Sequence, residues 1–138
     1  MEKTISLIFK GYWINKTSVP SKAGIYLVYV GKYDEEKDTV TLHRLIYIGE
    51  AENVNDRLSN HEKWQQWEKY ISQGERLIFS LVEVTSPDRE RAECALIYYH
   101  KPLTNDECKD TFPYEKTTIK SSGECKFITS EFTAEKTL

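Results

Sequence analysis

Long apolar runs are missing from this 138-residue chain, and that absence sets the first limit. No stretch approaches the roughly 18–20 apolar residues of a membrane-spanning helix, so no membrane partner is expected. The run Ile5-Ser6-Leu7-Ile8-Phe9, behind Met1-Glu2-Lys3-Thr4, is too short for the apolar centre of a signal peptide. The expected location is cytoplasmic. Cysteine is scarce: Cys94, Cys108 and Cys125 are an odd set with no C-x-x-C spacing. That points away from a disulfide framework and from a cysteine zinc site, and toward reduced, structural thiols. A basic excess is missing too. The formal net charge of −3 speaks against a uniformly basic nucleic-acid binder. The charge is uneven, however: residues 1–33 hold five lysines against one acid, whereas Asp34-Glu35-Glu36-Lys37-Asp38 is an acidic loop tip.

The composition that is present, 39% hydrophobic and 30% charged, belongs to a globular rather than a disordered chain. The length suits one domain around a single core, and no repeat or linker divides it. Ile5–Phe9 reads as a short strand. Gly24–Val30, dense in branched and aromatic residues, reads as a buried strand. Thr39–Ile48 alternates and reads as its antiparallel return across a long loop. Asn53 is a helix N-cap with Asp56 three residues on, which predicts a helix over 54–61. Trp64, Trp67 and Ile71 continue at helical spacing toward Gly74. Arg76–Val84 alternates as a strand. Ser86-Pro87 opens a helix that runs to His100 and stops before Pro102. In the tail, Thr117–Lys120 and Lys126–Phe132 flank Ser121-Ser122-Gly123 as a hairpin, and 131–138 is expected to fray. The expected fold is α+β: a small, mainly antiparallel central sheet of about three strands flanked by helices, with a C-terminal hairpin-like tail.

Some side chains could carry chemistry. Arg57 and His61, at i and i+4, share a helix face. Arginine holds phosphate oxygens bidentately and histidine can donate to phosphate or shuttle a proton, but the same pair is also what an ordinary solvated face carries. Glu93 lies in the apolar run Ala92–Tyr99, where a carboxylate is costly unless it is paired or holds a cation. A divalent metal and a salt bridge back to Arg89 are equal solutions. Tyr26 and Tyr47 each neighbour a glycine motif on adjacent strands. Each is a candidate base if its pKa is lowered, or a core phenol with a satisfied hydroxyl. His43 and His100 read as surface or capping residues, and the tryptophan stripe reads as core. Asn105 either reaches a site or shapes a turn.

Gly24-Ile25-Tyr26 and Tyr47-Ile48-Gly49 are followed by Asn53-x-x-x-Arg57-Leu58-x-x-His61, by Ala92-Glu93-x-x-Leu96-Ile97 and by Lys101-Pro102-Leu103-Thr104-Asn105. In this order the five elements resemble the GIY-YIG nuclease family over roughly Gly24 to Asn105. That family includes homing endonucleases, some restriction enzymes and the incision domain of a bacterial excision-repair nuclease. The resemblance implies one GIY-YIG-like domain over 1–138, with its motif region at 24–105 and an extension at 106–138. It also implies metal-dependent hydrolysis of phosphodiesters in nucleic acid, DNA foremost. Within it Glu93 holds a single Mg²⁺ or Mn²⁺. Tyr26, as phenolate or through a relay with Tyr47, takes a proton from the attacking water. Arg57 neutralises charge on the phosphate and His61 positions the phosphate or assists the relay. Gly24, Gly49, Asn53 and Asn105 support the site. Two departures qualify it: the segment between the glycine–tyrosine motifs is long and acid-tipped, and no DNA-targeting domain is evident. Target choice then falls to a partner, a homodimer or substrate shape. The competing reading is a catalytically silent nucleic-acid-binding or protein-interaction module on the same fold.

Overall fold

A computed structural model describes residues 1–137. Its frame is one six-stranded sheet formed by β1 (Lys3–Trp13), β2 (Gly24–Asp34), β3 (Thr39–Ala51), β4 (Arg76–Glu83), β5 (Thr117–Gly123) and β6 (Glu131–Ala134). The strand order is β3-β2-β4-β1-β5-β6. Among the described residues only the β1–β5 pair is parallel; the other strand pairs are antiparallel. The helices are short: α1 (Val54–Ser59), α2 (Trp64–Glu68) and α3 (Asp88–His100). Among the described residues no helix is long and apolar enough to cross a membrane.

The expected three-stranded sheet flanked by helices is therefore not what forms. The chain makes a mostly-sheet fold around a curled, mixed sheet. Two segments account for the difference. The first strand is 11 residues long rather than five, with Ile5, Leu7 and Phe9 buried and Ser6, Ile8 and Lys10 turned to solvent. The tail supplies β5 and β6 as full members of the sheet. Ser121-Ser122-Gly123 is not a turn: these residues pair with Leu7, Ile8 and Phe9, and the reversal comes later, over 124–130. The expected fraying of 131–138 fails over Glu131–Ala134, where Phe132 and Ala134 are buried; Leu138 lies outside the described residues.

The central strand β2 shows how the sheet is held. Its residues 24–31 are all buried, and they alternate between two cores. Ile25, Leu27 and Tyr29 face α3 with Ala92, Leu96 and Ile97. Tyr26, Val28 and Val30 face α1 and α2 with Val54, Leu58 and Trp67. At roughly 1.5–3 kcal/mol for each large apolar side chain buried, two cores on one strand fix its register firmly. Gly24 is required by this crowding, because a β-carbon there would run into the carbonyl of Val82 on β4.

The thiols depart from expectation. Cys94 on α3 and Cys108 in the following loop form a disulfide with a Cα–Cα distance of 5.4 Å, and Cys125 is free and buried. Sequence spacing could not show this, since the pairing depends on the 101–111 loop folding back along α3.

Candidate active site

Helix α1 begins where the sequence places it. The Asn53 side chain accepts a hydrogen bond from the Asp56 amide at 3.0 Å, so the helix presents Arg57 near its end while Val54 and Leu58 anchor it in the core. Tyr26 and Tyr47 stand on the neighbouring strands β2 and β3, with ring centres 6.1 Å apart. Gly49 sits opposite Tyr26 in the antiparallel ladder. A β-carbon at Gly49 would overlap the Tyr26 phenol, so this glycine makes the space that the phenol occupies.

The two tyrosines differ in access. Tyr26 is 1% exposed, and its hydroxyl lies 2.8 Å from Nε2 of His61. The other ring nitrogen of His61, Nδ1, accepts the Lys63 backbone N–H at 3.1 Å. An amide N–H can only donate, so Nδ1 carries the lone pair and the proton of the neutral ring is on Nε2. His61 therefore donates to the Tyr26 oxygen. Burial, reinforced by Arg57, lowers the His61 pKa to about 4, which keeps the ring neutral near pH 7. His61 is itself buried, packed 4.3 Å from the Trp67 ring, so it stands behind the tyrosines.

Tyr47 lines an open cleft of about 240 Å³ with Glu62, Lys63, Glu93, Ile97, Asn105, Asp106 and Glu107. Burial and the Glu93 charge push the Tyr47 phenol up to about 12, with Arg57 pulling the other way. The same cause, burial, raises Tyr26 further. Glu93 reaches this cleft from α3. Its expected salt-bridge partner, Arg89, is taken: Arg89 Nε donates to Glu50 Oε1 at 2.7 Å, and an Arg89 terminal nitrogen lies 3.9 Å from Glu90. Among the described residues no hydrogen bond or ion pair involves the Glu93 carboxylate. Burial, followed by Glu50, Glu107 and Glu90, raises its pKa to about 8. A carboxyl held in that state gains most from a cation placed beside it.

The chain is similar to UvrABC system protein C from Petrotoga mobilis. The two are 30% identical over 118 residues, an alignment that takes in 80% of this chain and 19% of the relative. The chain thus spans about a fifth of the length of the curated relative it matches. No family model matches the chain, and no solved structure matches it.

Asn105 is placed by its side-chain amide. Oδ1 accepts from the Ile48 N–H at 3.0 Å and Nδ2 donates to the Ile48 carbonyl at 2.9 Å. Thr104 performs the same service at Ile46: its N–H and its hydroxyl both donate to that carbonyl, at 3.0 and 2.6 Å. Thr104 and Asn105 together occupy the free edge of β3 on either side of Tyr47, in place of a further strand. Thr104 also accepts from the Trp67 indole N–H at 3.1 Å, which ties the edge to α2. Sequence reasoning missed Thr104; its place directly before Asn105 was the available signal.

Two cation–carboxylate pairs frame the cleft. Arg57 binds Glu62 at 2.8 Å and Lys63 binds Asp106 at 2.5 Å. Sequence reading passed over Lys63, Glu62 and Asp106, since nothing in the spacing of ordinary charged residues marks them. The remaining histidines have structural partners. His43 pairs with Glu75 at 2.5 Å. His100 donates from Nδ1 to the Leu96 carbonyl and accepts the Thr129 N–H at Nε2.

Proposed function

We propose that this chain is a metal-dependent endonuclease that hydrolyses phosphodiester bonds in nucleic acid, DNA foremost, in the cleft between Tyr47 and Glu93. The observation that carries the reading is the Glu93 carboxylate, which enters the same cleft as Tyr47 and has no ion-pair partner among the described residues. The motif order and the similarity to UvrABC system protein C support it.

The residues present fit one hard cation. Mg²⁺ commonly takes one or two protein carboxylates and fills its shell with water and phosphate oxygens, and Glu93 offers one such carboxylate. Among the described residues no group of three or more His, Cys, Asp or Glu is placed to hold a metal ion, so the ligand offered by the protein would be Glu93 alone. When bound, such an ion supplies Lewis acidity toward the phosphate and the departing 3′-oxygen. The protein's own groups do the rest. Arg57 neutralises the charge that grows on the non-bridging oxygens, which is the largest expected term. Tyr47, the more accessible of the two tyrosines, takes the proton of the attacking water as its phenolate, a state that Arg57 and a bound cation favour against the cost of burial. Tyr26, held by His61, backs it from the core. Asn105 fixes the backbone on which Tyr47 stands.

A plasmid-nicking assay with Mg²⁺ or Mn²⁺ tests the reading, repeated on branched, single-stranded and RNA substrates. Arg57→Ala is expected to lower cleavage by about 10³-fold or more with the fold intact. Normal cleavage by that variant removes Arg57 from the mechanism. The competing reading, a catalytically silent binding or interaction module, draws on the acidic lining of Glu62, Glu93, Asp106 and Glu107. Binding without cleavage by the wild-type chain would favour it.

A further inference from the structure

The cleft's second cation has a geometry that ordinary surface lysines lack. The Lys63 side chain is only 16% exposed, whereas its partner Asp106 is 80% exposed. Lysine usually keeps its ammonium in water and folds only its stem against the protein. Here most of the Lys63 side chain is sheltered at the cleft wall, and its carboxylate partner lies largely in solvent. The Arg57–Glu62 pair repeats the pattern, with side-chain exposures of 32% and 69%. In both pairs the cation is the sheltered member and the acid the exposed one. Lys63 and Asp106 pull on each other directly: the ammonium beside it holds the Asp106 carboxyl below its usual range.

An ion pair with one strongly exposed partner contributes little to stability, typically 0–1 kcal/mol. Exchange of such a carboxylate for another anion is therefore cheap. A phosphodiester offers two non-bridging oxygens that can take the place of two carboxylate groups. The backbone around Lys63 is meanwhile fixed, because its N–H is engaged by the buried His61 ring and the next residue opens α2. Asp106 is carried on the loop that Asn105 pins to β3.

We infer that Lys63 is a second phosphate-binding cation of this cleft, and that Asp106 and Glu62 are its gate: they occupy Lys63 and Arg57 until a nucleic-acid phosphate displaces them. This rests on the nuclease reading above and adds to it a binding residue and two competitors. The acidic lining is then no bar to nucleic acid, since two of its carboxylates swing away on exposed side chains and leave Lys63 and Arg57 facing the substrate.

The test is binding of a short fluorescein-labelled DNA duplex, followed by anisotropy between roughly 50 and 200 mM salt with Ca²⁺ present, beside cleavage in Mg²⁺. Lys63→Gln is expected to weaken binding about three- to tenfold and to reduce the salt slope by about 0.9, the value of one phosphate contact. Lys63→Arg should restore both, which separates loss of charge from loss of fold. Asp106→Asn and Glu62→Gln are expected to tighten binding several-fold. Asp110→Asn, an exposed acid of the same loop, controls for general charge and should change binding by less than twofold. Wild-type cleavage with Lys63→Gln unchanged in affinity and slope overturns the inference and leaves the nuclease reading standing. Equal tightening by Asp110→Asn and Asp106→Asn overturns the gate. A wild-type chain that neither binds nor cuts any nucleic acid overturns both readings together.

Discussion

Nε2 of His61 lies 2.8 Å from the Tyr26 hydroxyl, and the direction of that hydrogen bond is set from the opposite side of the ring. The Lys63 amide donates to Nδ1 at 3.1 Å, so His61 is the donor to Tyr26 and cannot receive the Tyr26 proton in the same tautomer. This makes His61 a positioning residue that holds the Tyr26 hydroxyl in place beside Tyr47. Nitrogen-resolved NMR should report the Nε2–H tautomer at neutral pH. His61→Phe keeps an aromatic ring against Trp67 and loses the donor. It should lower cleavage by about ten- to a hundredfold, because Tyr26 is no longer fixed beside Tyr47.

The same ring makes a pH statement. Its folded pKa of about 4 lies below the ordinary 6.5, so between these values the unfolded chain binds a proton that the folded chain refuses. This contribution lowers stability as pH falls from about 6.5 toward 4 and is absent above that window. In His61→Phe that part of the acid sensitivity should disappear, measured by urea titration at a series of pH values.

Glu93 works in the opposite sense. Its folded pKa of about 8 stands above the ordinary 4.5, so the folded state holds the extra proton between those values. Without metal, stability should fall as pH rises from about 4.5 to 8. Glu93→Gln mimics the protonated acid and should be more stable than wild type at pH 8 by roughly 1–3 kcal/mol, with little difference near pH 4.5. Added Mg²⁺ should raise the melting temperature of the wild type and not of the variant.

At the free edge of β3, Asn105→Ala leaves the Ile48 N–H without its acceptor. The cost should be about 1–3 kcal/mol, with faster hydrogen exchange at Ile48 and lower activity through Tyr47. Asn105→Ala with an unchanged Ile48 exchange rate would remove Asn105 from this role.

The disulfide is checked by counting thiols. Unfolded without reductant, the chain should label at Cys125 alone; after reduction it should label at all three cysteines. Closing a loop of this length contributes about 3 kcal/mol in the chain-entropy view, so Cys108→Ser should lose stability on that order.

The paired strands, read over Gly24–Val30 and Thr39–Ile48 and longer in the structure at Gly24–Asp34 and Thr39–Ala51, the Asn53 cap and the helix ending at His100 were legible because each carries a local signal: alternation, a cap residue, a proline stop. The tail strands were not. Thr117–Gly123 has Ile119 as its only large apolar residue, and it is a strand because β1 lies beside it, a contact that no local pattern encodes. The cleft divides along the same line. Residue types at motif spacing named Tyr26, Tyr47, Arg57, His61, Glu93 and Asn105. The freedom of the Glu93 carboxylate, the tautomer of His61 and the sheltering of Lys63 depend on which neighbour takes which partner. Arg89 could have paired with Glu93 and instead reaches Glu50.

The Glu93 carboxylate, without an ion-pair partner among the described residues, is the centre of the proposed site, and metal-dependent DNA cleavage by Glu93→Gln beside the wild type measures its role most directly. The expected result is nicking by the wild type only when Mg²⁺ or Mn²⁺ is present, and none by a Glu93→Gln protein that melts at or above the wild-type temperature. Cleavage by Glu93→Gln at the wild-type rate, or wild-type cleavage indifferent to chelation of divalent ions, would contradict it.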